Sequence, residues 1–233
     1  MTLYHNLTQC SFLCRVNRFI AKCLVCGVEI AVHVKNTGRL GELLVPGALC
    51  YLERAAQPGR KTLFDLVAVE KDGRIINIDS QAPNLIAREW VGQGGFGDVT
   101  ALRSEVTYGD SRFDLAYWRS GAAPTLPPSG FIEVKGVTLF DGAGLSCFPD
   151  APTSRGVKHL HGLIRAAQSG MEAAVCFVIM REDANGLIPN DRTDPAFGAA
   201  LRQAAAAGVR LIGACCRVTA DSARIIRTVP VRL

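Results

Sequence analysis

The chain has 233 residues, 48% hydrophobic and 20% charged, a balance that supports a sizeable core and excludes disorder as the default. Its net charge of +5 favours an anionic partner without establishing one, and no apolar run reaches the roughly 20 residues that span a bilayer. Tyr4, His5, Asn6 and Gln9 precede any apolar run, so there is no charged-then-apolar leader, and a cytoplasmic protein with no membrane partner is expected.

From Phe12 to Ile78 the pattern predicts an antiparallel β unit. Its strands are Phe12 to Val25, Val28 to Val34 after a turn at Cys26-Gly27, Leu49 to Leu52, Leu63 to Val69, and Ile75 to Ile78 after the tight turn Lys71-Asp72-Gly73-Arg74. Five short strands with little helix predict an OB-like barrel over residues 1–80, a fold that often binds oligonucleotides. The nine cysteines are an odd number, and Cys176, Cys215 and Cys216 fall in apolar runs as reduced core residues. Cys10, Cys14, Cys23 and Cys26 have the count for a four-thiolate zinc site, but strand alternation puts Cys23 and Cys26 on opposite faces.

After Asp79 the period changes. Pro83 to Val91 has helical spacing, and strands are predicted at Leu102 to Val106, Phe113 to Trp118 and Gly130 to Val137. A helix capped by Ser154 runs to about Ser169, a buried strand spans Ala173 to Met180, Pro195 opens an Ala-rich helix ending at Gly208, and another buried strand follows from Val209 to Arg217. This order predicts an α/β sandwich around a mixed sheet over residues 81–233.

The chemistry falls in this second half. Alternation along Gly130 to Gly136 points Glu133 and Lys135 to one side of their strand, and a neighbouring strand carries Asp114. Two carboxylates suit Mg²⁺ or Mn²⁺, hard cations that polarise phosphate and lower the pKa of bound water, with Lys135 beside the phosphate. The same short pattern also fits a charged pair on the solvated face of an edge strand. Arg155, Lys158 and His159 stand three and four apart on the helix after Ser154 and are expected to share a face. Cations in a first helical turn oppose the macrodipole unless an anion such as phosphate meets them; a plain solvated face fits the spacing equally. His5 and His33 read as structural or incidental.

Several segments together are similar to the sugar fermentation stimulation protein A family: Asn36-Thr37-Gly38, Pro83-Asn84, Ser104 through Asp114, Glu133 through Leu139, and Phe148-Pro149-Asp150-Ala151 through Arg155-Gly156-Val157-Lys158-His159-Leu160. Departures from the family pattern include Thr107, where relatives commonly carry Lys, and Ile78-Asp79-Ser80 in place of a Val-Asn-Thr-like segment. The resemblance implies an OB-like N-terminal domain, a second domain resembling the PD-(D/E)xK restriction-endonuclease fold, DNA as partner and a role in regulating sugar utilisation. It further implies Asp114 and Glu133 as ligands of Mg²⁺ or Mn²⁺, with the Val134 carbonyl beside them. Lys135 is then the catalytic or phosphate-orienting base and Glu105 a further acidic member, while Arg112, Arg155, Lys158 and His159 are expected on the nucleic acid. The leading expectation is a DNA-binding protein that contacts largely phosphates, with weak sequence preference; an active metal-dependent nuclease, and a binding module for a small molecule or protein that inherited both folds, remain open, because a nuclease scaffold can serve binding alone.

Overall fold

The computed structural model describes residues 1–57, 59–125 and 127–233. The N-terminal part contains β1 (Thr8–Arg15), β2 (Ile20–Val25), β3 (Val28–Val34), β4 (Leu49–Arg54), β5 (Phe64–Lys71) and β6 (Arg74–Asn77). They pair in the order β3-β2-β1-β4-β5-β6, and a parallel contact of His33 and Val34 with Asp65 and Leu66 closes β1 to β5 into a barrel with β6 hairpinned onto β5. Closure removes the exposed edges that a five-stranded open sheet would leave. The predicted first strand is in fact two. The Asn17 side-chain oxygen accepts from the backbone N–H groups of Phe19 and Ile20, and this Asx turn reverses a stretch whose apolar alternation reads as continuous. The four N-terminal cysteines are split by the barrel wall: Cys10 and Cys23 are buried inside, whereas Cys14 and Cys26 face solvent, so they do not form one zinc site.

The second part runs α1 (Ala82–Gly92), β7 (Ala101–Tyr108), β8 (Ser111–Trp118), β9 (Gly130–Val137), β10 (Leu139–Phe140), β11 (Leu145–Phe148), α2 (Ser154–Gln168), β12 (Glu172–Ile179), β13 (Gly186–Pro189), α3 (Pro195–Ala206), β14 (Arg210–Val218) and β15 (Ala223–Val229). Its main sheet has the order β15-β14-β12-β9-β8-β7, with β9, β12 and β14 parallel at the centre and antiparallel strands at both edges. Central burial on both faces explains why β12 reads as an unbroken apolar run. A small sheet of β10, β11 and β13 and the edge strand β15 were not legible in the pattern. The cap of α2 is Thr153, one residue earlier than expected, its hydroxyl accepting from Gly156 N–H at 3.0 Å.

One face of the sheet packs on α2 and α3 through Phe113, Phe131, Phe177, Leu160, Leu163, Phe197 and Leu201. The other face contributes Leu115, Ile132, Val134, Cys176 and Ala214 to a core that continues through Ile86 and Val91 of α1 into Phe12, Leu52 and Leu66 of the barrel. Barrel and sheet are thus welded by a shared apolar core rather than tethered by a linker. No helix among the described residues is long and apolar enough to cross a membrane.

Candidate active site between barrel and sheet

The site begins with a break in a ladder. β8 and β9 pair at Tyr117–Gly130, Ala116–Phe131 and Leu115–Ile132, and the pairing stops there. Beyond it Val134 N–H has no strand partner, and the Asp114 carboxylate takes it at 2.7 Å through Oδ2. A buried N–H left unpaired is costly, so a carboxylate at this position closes the gap. Alternation also slips here: Leu115 and Tyr117 face the barrel-side core, whereas Phe113 packs on the α2 side. Asp114 Oδ1 accepts from Asn84 Nδ2 at 2.9 Å, so the first turn of α1 holds the same group.

Glu133 projects to the α2 face and is 2% exposed. Its Oε1 is bound by Lys135 Nζ and by Nδ1 of His159. The Arg155 guanidinium has only donors, and its Nε meets His159 Nε2 at 3.4 Å. Nε2 therefore accepts, and Nδ1 carries the hydrogen that is given to Glu133. The other carboxylate oxygen, Glu133 Oε2, is buried and has no hydrogen-bond partner among the described residues. With the charge of Asp114 close enough to be felt, the chemistry of this oxygen fits the donor set of a hard cation.

The two carboxylates respond to this environment in opposite directions. Burial, and then the negative charge of Glu133, raises Asp114 above the ordinary carboxylate range. Burial alone would also raise Glu133, but the hydrogen bond from His159 and the Lys135 ammonium outweigh it and hold Glu133 below that range. A pair of acids whose environments push them apart is a signature of functional sites.

Lys135 opens into a cleft of about 520 Å³ between the two halves of the molecule. The barrel side supplies Arg18, Asn36, Thr37 and Gly38; the sheet side supplies Asp150 and Arg155. Asn36 shapes its own loop, its Oδ1 accepting from Gly38 N–H at 2.8 Å while its Nδ2 donates to Ile78 O at 2.8 Å. Arg15 donates to the carbonyls of Asn17, Arg18, Asn36, Gly38 and Arg39, so one guanidinium organises both barrel loops that wall the cleft. Arg39 N–H in turn donates to Asp150 Oδ2 at 3.0 Å.

The structure brings Asp114, Glu133 and Lys135 together with His159 and Asn84. Glu105 stands apart: it is exposed on β7, with φ at +60°, and pairs with Arg112 at 2.8 Å rather than reaching the other carboxylates. Arg112 is occupied by the same bond. His159 does not share an exposed face with its helical neighbours; it is 6% exposed and turned onto Glu133, whereas Lys158 leans towards Asp110 at 3.6 Å. His159 lies over the central strand β9 and keeps contact with Arg155 four positions before it, whereas Lys158, one position and about 100° round the helix, points away from the sheet. Among the described residues no three His, Cys, Asp or Glu side chains are placed to hold a metal ion together. A cation here would rest on the two carboxylates, completed by backbone carbonyl and water, which is the sparse protein coordination Mg²⁺ accepts. Arg15, Asn84 and Asp150 were not identified as site residues from the sequence. Asn84 and Asp150 lie in the family-like segments, which was their only signal.

Comparison with known proteins agrees with this architecture. Residues 13–78 match the model described as SfsA N-terminal OB domain, and residues 81–222 match that of the sugar fermentation stimulation protein RE domain. A sugar fermentation stimulation protein homolog of Desulfitobacterium hafniense is 46% identical over 219 residues, covering 94% of this chain and 93% of its own. One from Acetivibrio thermocellus is 45% identical over 237 residues, covering 99% of both. The solved structure of Pyrococcus furiosus SfsA in complex with Ca²⁺ superposes with a TM-score of 0.85 at 26% identity, covering 100% of both chains. By these matches over nearly its full length, the chain belongs to the sugar fermentation stimulation protein A family.

Proposed function

We propose that the protein binds DNA through its phosphates and hydrolyses phosphodiester bonds with a divalent cation, Mg²⁺ or Mn²⁺, held by Asp114 and Glu133. The observation that carries this is the buried Glu133 Oε2, without a hydrogen-bond partner among the described residues and near enough to Asp114 for their charges to act on each other, with Lys135 lining the cleft. The Ca²⁺ of the Pyrococcus furiosus complex supports a hard-cation site in this fold. When bound, the cation would supply Lewis acidity and a lowered pKa for attacking water.

The protein's own groups do the rest. His159 and Lys135 hold Glu133 in one rotamer and keep it ionised, so its free oxygen is aimed and charged before any ligand arrives. Asp114 is fixed by Asn84 and Val134 N–H, leaving lone pairs on both oxygens. The Lys135 ammonium stabilises negative charge building on a phosphate in the cleft, and Arg155 adds a second cation from the N-terminal turn of α2. Phosphate contacts of this kind carry little sequence preference and weaken steeply with salt.

Lys135→Ala should lower Mn²⁺-dependent cleavage by about 100-fold or more while leaving most DNA affinity, because other phosphate contacts remain. Cleavage unchanged by Lys135→Ala would refute this assignment. A second reading, a regulator of sugar utilisation that binds DNA without cutting it, is favoured by one feature: Lys135 and His159 already occupy Glu133 Oε1. DNA binding that survives replacement of Asp114 and Glu133, with no Mn²⁺-dependent cleavage by the wild type, would support that reading.

A further inference from the structure

The cleft is bridged. Arg39 N–H meets Asp150 Oδ2, and a side chain on Gly38 would collide with the same carboxylate, so the barrel loop and the loop before α2, which both contribute to the cavity lining, are in contact. Walls that touch in this way leave no room between them, at that point, for a double helix, whose major groove alone is about 12 Å wide. A cavity of about 520 Å³ suits one extended strand contributing a nucleotide or two.

At the cleft's barrel-side wall stands the β1–β2 turn. Phe19 is 50% exposed there although it is a large aromatic, and Val16 beside it is 54% exposed. Arg18, between them, lines the cleft, and among the described residues its guanidinium has no hydrogen-bond or carboxylate partner. The turn is rigid: Asn17 Oδ1 holds two of its N–H groups and Arg15 holds two of its carbonyls. An exposed aromatic on the same held turn as Arg18, which lines the cavity together with Arg155, matches the stacking-plus-phosphate chemistry by which proteins hold unpaired bases.

We propose that the cleft takes one unpaired DNA strand rather than a duplex, with a base stacked on Phe19 and its phosphate on Arg18, guiding the strand to Lys135. This deepens the phosphodiester reading and rests on it for the role of Lys135. The test measures binding by fluorescence anisotropy, in chelator, with Asp114→Asn protein, using a short oligothymidylate and a blunt hairpin duplex with the same number of phosphates. The single strand should bind more tightly. Phe19→Ala should weaken it about tenfold while leaving the duplex unchanged, and Phe19→Trp should restore it. Arg18→Ala should reduce the salt slope for the single strand by about one ion.

Equal or tighter binding of the duplex overturns the proposal, as does a Phe19→Ala effect of the same size on both ligands or the absence of binding to either. Phe19 and Arg18 are exposed, so these variants should melt like the parent. The two ideas fail separately. Mn²⁺-dependent cutting of closed duplex circles as fast as single strands would retain hydrolysis and refute the strand preference. Phe19-dependent binding of oligothymidylate with no cleavage by wild type would do the reverse.

Discussion

Asp114→Asn should make the protein more stable and abolish the proposed divalent-cation binding. In the folded chain the Asp114 charge is largely buried and lies beside that of Glu133, and both effects disfavour ionisation. Its two hydrogen bonds survive the substitution: the new amide keeps its oxygen on Val134 N–H, and Asn84 can turn its own amide to accept from the new NH₂. The variant therefore loses the repulsion and little else. Relief of a functional-site charge of this kind is worth on the order of 1 kcal/mol, or about 2–4 °C in Tm for a chain of this size. The sign with pH follows from the raised pKa. Folding holds the Asp114 proton more tightly than the unfolded chain does, so wild type loses stability as pH rises from the ordinary Asp range through the raised value. The advantage of the variant should be full at pH 7 and vanish in acid. The assay is thermal unfolding in chelator from pH 4 to 8, repeated with Mn²⁺. Wild type should gain about 2.7 kcal/mol at 100 times its Kd, whereas the variant should not respond. A variant destabilised by more than 1 kcal/mol at pH 7 in chelator would refute the reasoning, because it would mean that the charge anchors the fold.

Glu133→Gln should act in the opposite sense. Glu133 is held below the ordinary carboxylate range, so its contribution is present above that range and is lost as pH falls through the depressed value; the variant should be less stable at pH 7, by about 1.5–3 kcal/mol for a charged hydrogen-bonded group, with the gap closing in acid. Denaturant titrations at pH 7 and pH 4 read both numbers. Gly162→Ala should cost about 1–3 kcal/mol, because a Cβ there would lie 2.6 Å from Ser111 Oγ and 3.0 Å from Phe113 Cζ, where α2 presses on β8; a fall in Tm with unchanged DNA affinity is the expected result.

The sequence by itself determined the elements whose signals are local. Val28 to Val34 and its Cys26-Gly27 turn, the buried run of β12, Pro195 at the head of α3, and the shared side of Glu133 and Lys135 all follow from periods of two and 3.6 and from the conformational habits of Gly and Pro. The family-like segments supplied the two-part plan that the matches show. Tertiary structure decided the rest, because it depends on which groups lack partners once strands are paired. Two hydrogen bonds to the Asn17 side chain cut one apparent strand in two. The halt in β8–β9 pairing at Leu115–Ile132 turned Asp114 into the acceptor for an orphaned N–H. The docking of α2 buried His159 against Glu133 instead of leaving it in solvent with Lys158, and Glu105 found Arg112. Arg15, a lone cation in a strand, gives no signal of its role, since the five carbonyls it binds converge only when the barrel closes. Periodicity reports which side of an element a residue occupies; it carries no information about a partner on another element, and the site is made of such partners, from Asn84, Asp114, Glu133 and His159 to the pairing of Arg39 with Asp150.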